Sequence, residues 1–499
     1  MRSTPRRSSL SRAAAVFAVA LLAAKPCRAL ELWGEPPLIW LGGDQTSAPS
    51  YGTKGVLDQT NWPSARLWSA MTTDAAGALW VYGGYGSGIS TPSWNTVGAL
   101  GDLWTYVPSK GKWAWVSGPP DTQSQDEGPQ GQLGVPSLWS RPSARYGHSM
   151  WADKAGRIYV FGGGFTITND LWRFDPADSK WTWLSGGPSN IRPAGVYGTR
   201  GAASTASQPG ARNMAAVCSG VQSSTVWVFG GFGNGAISTL GYLNDLWTYN
   251  TDTGLWTWVA GSQIVNHPGN FEALNVPSNT TVPPARDEAV CWVDDVSGDV
   301  LIFGGKNGNG YLNDFFRFNP KTKIWTWIGG SPLAGSTGTP GIRGIADKNN
   351  IPSARYQHSG WKKGNDLILY GGVSYAGYES SVWRYRVIEG DWTLLSDGGA
   401  AFVGDFGDRG VQSSSSRLPS IFGQVSKDDG NAYVFSGNYF SSVKNGFGSA
   451  LWLVDSSSAT TISVTPTSTA AETSTTQTST SATPASIVTE TPKCWNNSP

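Results

Sequence analysis

Pro209-Gly210-Ala211-Arg212 opens a stretch that runs through Val226-Trp227-Val228-Phe229-Gly230-Gly231, Asn244-Asp245-Leu246-Trp247 and Trp256-Thr257-Trp258 to Gly261. Each element reads as a short strand. β-Branched and aromatic runs end at a Gly pair, as they do again in Arg157-Ile158-Tyr159-Val160-Phe161 and Asp299-Val300-Leu301-Ile302-Phe303. Trp-Thr-Trp alternates with period two, so both indoles lie on one face.

The same order returns along the chain. The opening arginines are Arg66, Arg145, Arg212, Arg286, Arg355 and, in degenerate form, Arg417. The Gly pairs begin at Gly83, Gly162, Gly230, Gly304 and Gly371, with Ser436-Gly437 in the sixth place. The third element carries Trp104, Trp172, Trp247, Phe316, Trp383 and Trp452, and the fourth carries Trp113/Trp115, Trp181/Trp183, Trp256/Trp258, Trp325/Trp327 and Trp392. Units of four strands repeated radially predict an all-β, six-bladed β-propeller with four antiparallel strands per blade. The Gly pair supplies positive φ where blades crowd the axis. The last unit lacks its Trp-x-Trp strand. Leu38-Ile39-Trp40-Leu41-Gly42-Gly43 has that character, and Tyr51-Gly52-Thr53-Lys54-Gly55 follows it much as Tyr197-Gly198-Thr199-Arg200-Gly201 follows Trp183. The N-terminal strand is therefore expected to close the last blade.

The aromatic-Gly-Gly, the Asn-Asp-Leu-Trp and the trailing Trp over residues 33–455 resemble the kelch family, as in the galactose-oxidase central domain and attractin-like propellers. A kelch repeat has about 50 residues. Here the Arg-to-Arg spacings are 79, 67, 74, 69 and 62, so the surplus belongs to loops. The resemblance implies a binding module for a protein or glycan, and it raises a carbohydrate-active enzyme as the alternative. An oxidase copper site needs two imidazoles. His148 and His358 each stand three residues after a repeat Arg, a structural place, which leaves His267 alone. The turns at Asp74, Asp153 and Asp295 loosely resemble sialidase Asp boxes, but Asp and Gly are ordinary turn formers there. No catalytic residue, cofactor or metal is expected.

Arg2, Arg6, Arg7 and Arg12 precede an apolar run at Ala13–Ala24, and Cys27-Arg28-Ala29 suits cleavage. Residues 1–29 read as a secretory signal rather than an organelle transit peptide, 30–455 as the propeller, and 456–499 as a Ser/Thr/Pro-rich disordered stalk or linker. Sequons at Asn279 and Asn496 suit a secreted or cell-surface protein. No later segment resembles a membrane span, and a net charge of +1 gives no case for nucleic acid. Cys218 and Cys291 lie six and five residues after their arginines. Period two then places them on opposite faces, and two buried free thiols are expected.

In a four-strand meander, the second-to-third and fourth-to-first loops share one face. The long segments fall there: 119–141, 187–208, 262–283, 331–351 and 396–416 between blades, and 85–101, 232–243 and 438–449 within them. Ligand is expected on that face. Asp102, Asp170, Asp245 and Asp314 can pair with the arginines of their units, whereas Ser381 and Ala450 stand near the Asp place in units five and six. Arg355 and Arg417 are therefore candidate anchors for an anionic ligand, with Glu379 a rival partner of Arg355. Tyr51, Trp62, Trp94, Trp139 and Tyr197 are the loop aromatics that could stack on a sugar.

Overall fold

The computed structural model describes residues 38–43, 49–89, 97–122, 128–187, 192–220, 223–398, 409–413, 424–428, 431–440 and 445–454. The expected leader and stalk, Arg417, Trp94, Asn496, Cys27 and Cys494 lie outside the described residues. No helix among the described residues is long and apolar enough to cross a membrane.

Six antiparallel sheets follow one another as blades. In blade three the first strand is Arg212–Asn213 and Ala216–Ser219, the second Thr225–Asn234, the third Leu240–Asn250 and the fourth Leu255–Ala260. Alternation along each strand sends its side chains to two neighbours. Val226 and Val228 pack against Trp151 and Phe161 of blade two, while Trp227 and Phe229 pack with Ile302 and Phe318 of blade four. The core is thus a set of interblade clusters, one between each adjacent pair of blades. The sixth joins Phe435 and Leu451 to Trp104 and Trp113 of blade one, which closes the ring.

The closing strand is the expected one. Leu38–Gly42 pairs antiparallel with Asn445–Val454, with Leu38 opposite Val454 and Trp40 opposite Trp452. The Gly pairs stand where neighbouring blades meet. Gly230 and Gly231 have φ of 63° and 98°, and a Cβ on Gly230 would lie 2.7 Å from the carbonyl oxygen of Arg286 in the next blade. That closeness lets the Gly231 N–H donate to the Arg286 carbonyl at 2.9 Å.

The cysteine expectation is corrected. Cys218 and Cys291 form a disulfide, with Cα atoms 5.7 Å apart. They do occupy opposite faces of their own sheets: Cys218 is opposite Trp227, whereas Cys291 is opposite Ile302, a position whose counterpart in blade three is Val228. In stacked sheets, however, one face of a blade packs on the opposite face of the next. The parity that separates two cysteines within one sheet brings them together across an interface.

The long interblade segments also have a regular structure. Each folds back on the free side of the fourth strand of the blade it leads into. Gly55 N–H donates to the Trp115 carbonyl at 2.7 Å and Asp58 N–H to Trp113 at 3.1 Å. Gly134 and Ser137, Gly201 and Ser204, Asn275 and Ser278, and Gly344 and Asp347 repeat the pair of bonds in blades two to five. The turn needs positive φ: 79° at Gly55, 76° at Gly134, 79° at Gly201, 63° at Asn275 and 78° at Gly344. The surplus over a 50-residue repeat is thus largely a cover for the sheet edge, which would otherwise present unpaired backbone groups.

Candidate binding site at the channel mouth

The repeat arginines are internal. Arg212 donates to Asp245 at 2.8 and 2.7 Å and to the Gly230 carbonyl at 2.9 Å, and Tyr197 and Trp247 also donate to Asp245 at 2.7 Å. Arg66–Asp102, Arg145–Asp170 and Arg286–Asp314 repeat the pair, and every partner is buried. Burial alone would raise Asp102, but Arg66, Trp104 and Tyr51 more than offset it and hold the carboxyl below the ordinary carboxylate range.

Arg355 follows the same plan with a substituted partner. It is 1% exposed and bonds Glu379 at 2.8 Å, the Ser381 hydroxyl at 3.0 Å and the Gly371 carbonyl at 2.9 Å. Glu379 approaches from two residues before the usual place, so the guanidinium is not open to a ligand. Arg417 lies outside the described residues, and the register of the strand after it gives only a count along the sequence. In blades one to five the Arg stands four residues before the one paired with the aromatic that precedes the Gly pair, as Arg212 does before Ala216, which pairs with Phe229. In blade six Gln424 pairs with Phe435, and the count back reaches Ser420.

Tyr51 and Tyr197 are buried, each with its hydroxyl on the Asp of its blade at 2.7 Å. Trp62 is buried and donates to the Ser449 carbonyl at 2.7 Å. These three hold covers to blades. Of the described aromatic candidates Trp139 alone is open, at 84% exposure on the cover of blade two. Asn279 is exposed on the cover of blade four. His148 and His358 are buried, and burial first, then the adjacent arginine, lowers each to about 3.

The residue two places after each arginine is where the blades differ. Trp68, Met214, Glu288 and Gln357 have φ of 51°, 53°, 53° and 56°, and Gly147 has 65°. This kink divides the first strand and turns the backbone toward the axis. Gly147 N–H donates to Trp68 at 2.9 Å, Met214 to Gly147 at 2.7 Å and Glu288 to Met214 at 3.0 Å, so a chain of bonds passes from blade to blade around the mouth. All five residues line a cavity of about 230 Å³ on the axis.

Aromatic groups flank this mouth. Trp68 lies 5.6 Å from Tyr146, and Tyr85 and Phe165 complete a cluster on blades one and two. Tyr311 lies 4.6 Å from Tyr356 and 4.4 Å from Tyr375 on blades four and five. Between them Lys306 Nζ sits 4.5 Å over the Tyr356 ring and bonds Glu288 at 2.7 Å. Burial, then Glu288, pushes the neighbouring Asp287 up to about 8. Burial likewise raises Glu288, partly offset by Lys306. None of these mouth residues stood out in the sequence. The available signal was a constant place in the repeat, two after the Arg, filled by Trp, Gly, Met, Glu and Gln in turn.

The KLHDC2/KLHL20/DRC7 Kelch-repeats domain matches residues 135–273 and 198–329. Kelch domain-containing protein 10 of Homo sapiens is 28% identical over 187 residues, covering 37% of this chain and 34% of that protein. An N-(sulfonatooxy)prop-2-enimidothioate sulfolyase of Thlaspi arvense is 26% identical over 174 residues, covering 34% of this chain and 39% of that protein. The matches thus span less than half the length of these relatives. Together, the blades and the repeat define a β-propeller of the kelch class. The family match lies within residues 135–329, and the six blades carry the same kelch-repeat architecture around the rest of the ring.

Proposed function

We propose that this protein is a secreted or cell-surface binding module, without catalytic activity, that holds a protein ligand over the channel mouth. Kelch propellers are typically protein-binding modules. The observation that carries the reading is the ring of unlike side chains at the kink, Trp68, Met214, Glu288 and Gln357, set on a backbone that is otherwise repeated. A rigid scaffold with one variable place is how a repeat fold specifies a ligand. The Cys218–Cys291 disulfide supports an oxidising compartment. The catalytic alternative, raised by the resemblance to oxidase propellers, has beside it the name of one relative, matched over 39% of its length.

An array of extracellular protein domains, probed with the full chain, tests this. Capture should be lost with Trp68→Ala and Tyr356→Ala and kept with Trp139→Ala. Capture that survives both mouth variants refutes the site. A glycan reading has one observation in its favour, the exposed Trp139, whose indole face could stack on a sugar. A glycan array on which Trp139→Ala abolishes binding and the mouth variants do not would select it.

A further inference from the structure

The mouth holds two carboxylates and one ammonium. Glu288 has a side chain 6% exposed, lines the axial cavity, and gives one oxygen to Lys306. Its Oε2 has no hydrogen-bond partner. Asp287, next to it and 6% exposed, has Oδ1 equally without a partner. Buried carboxylate oxygens without donors are costly, and such groups are ordinarily satisfied. When both are ionised, the pair carries one negative charge more than Lys306 balances.

Lys306 already shows how the mouth takes an ammonium, with Nζ on a Glu288 oxygen and over the Tyr356 ring. Glu288 lines a cavity whose wall includes Trp68, Met214 and Gln357, and the Gln357 side chain stands close enough to favour the ionised carboxylate. Trp68 and Met214 offer apolar cover for a methylene stem, and the Gln357 amide offers an acceptor.

We propose that the channel mouth binds an alkylammonium group, the lysine side chain of a protein partner, at the free oxygen of Glu288. This rests on the reading of the mouth as the binding surface. The groups around the carboxylates set its pH dependence. Asp287 is faced by Glu288, Lys306 and Tyr242, and Glu288 by Asp287, Lys306, Gln357 and Tyr356. With Asp287 at about 8, the incoming cation competes with its proton. The ionised fraction of such a group rises about tenfold from pH 7 to pH 9, and affinity rises with it, while the lysine ammonium stays largely charged.

Calorimetric titration of the full chain tests this with N-acetyl-lysine methylamide, n-butylammonium chloride and the Nε-acetylated lysine amide. Both ammonium probes should bind saturably, about tenfold tighter at pH 9 than at pH 7, and the acetylated amide should not. Glu288→Gln should weaken binding at least tenfold. Lys306→Met, which removes the internal competitor, should tighten it, a gain that a damaged fold cannot imitate. No saturable binding at pH 9, or no loss in a folded Glu288→Gln and no gain in Lys306→Met, overturns the inference. Binding of n-butylammonium without the lysine amide overturns the protein source in favour of a free amine. A captured partner that ignores Glu288→Gln sinks this inference and leaves the binding reading intact. Ammonium binding without any captured partner does the reverse.

Discussion

Asp245 accepts from Arg212, Tyr197 and Trp247 at once, so removing it leaves a buried guanidinium without its counter-charge. Asp245→Ala is expected to cost about 3–5 kcal/mol in denaturant unfolding. Glu379→Ala should cost less, because the Glu379 side chain is 19% exposed and Arg355 keeps Ser381 and Gly371. Acid acts through the same network. Asp102 and Asp170 are held below the ordinary carboxylate value, so their contribution is present above pH about 4 and lost as pH falls through their folded-state values. Asp287 has the opposite sign. Its folded state holds the proton more tightly than the unfolded chain does, so its presence lowers stability as pH rises from about 4 toward 8. Asp287→Asn should match the parent in melting temperature at pH 4 and exceed it at pH 9. The Arg–Asp pairs were legible in the sequence because each residue recurs at its own place in the repeat, the Arg at the start of the first strand and the Asp two residues before the third-strand aromatic. The kink was not, since positive φ at Trp68, Met214 and Glu288 leaves no compositional mark.

At the scale of elements, the edge covers explain segments whose length alone suggested ligand loops. Length does not distinguish a loop that waits for a partner from one already paired to its own sheet. Part of the signal was present in the likeness of Tyr51–Gly55 to Tyr197–Gly201. Gly134 isolates the backbone requirement: φ is 76° and nothing lies within 4 Å of an added Cβ. Gly134→Ala should therefore cost about 1–2 kcal/mol through backbone strain alone. Asn275→Gly should be neutral or stabilising, because Asn275 holds the same conformation at 63° with a side chain. Equal effects from the two substitutions would refute the assignment.

Over the whole molecule, the ring was legible because six units and one missing strand leave one arrangement without an open edge. The disulfide was not, because parity was counted within a sheet and the bond lies between sheets. It joins blades three and four across 73 residues of sequence. Chain-entropy reasoning gives such a link about 4 kcal/mol. Denatured protein without reductant should show neither thiol, and Cys218→Ala with Cys291→Ala should lower unfolding stability by a comparable amount. Deleting residues 30–43 should leave Trp452 beside an unpaired edge and promote association. A truncated chain that melts and stays monomeric like the parent would refute the closure.

That closure imposes an order on synthesis. Each cover leaves the ribosome just before the blade it protects, so blades one to five can be completed as they emerge. Leu38–Gly42 is made first and finds its partner, Asn445–Val454, last. At translation speeds of about 5–20 residues per second, this apolar strand waits roughly 20 to 80 s for the strand beside which it belongs. During that interval the oldest strand of the ring keeps an unpaired edge, whereas the strands of the middle blades find their partners as they emerge.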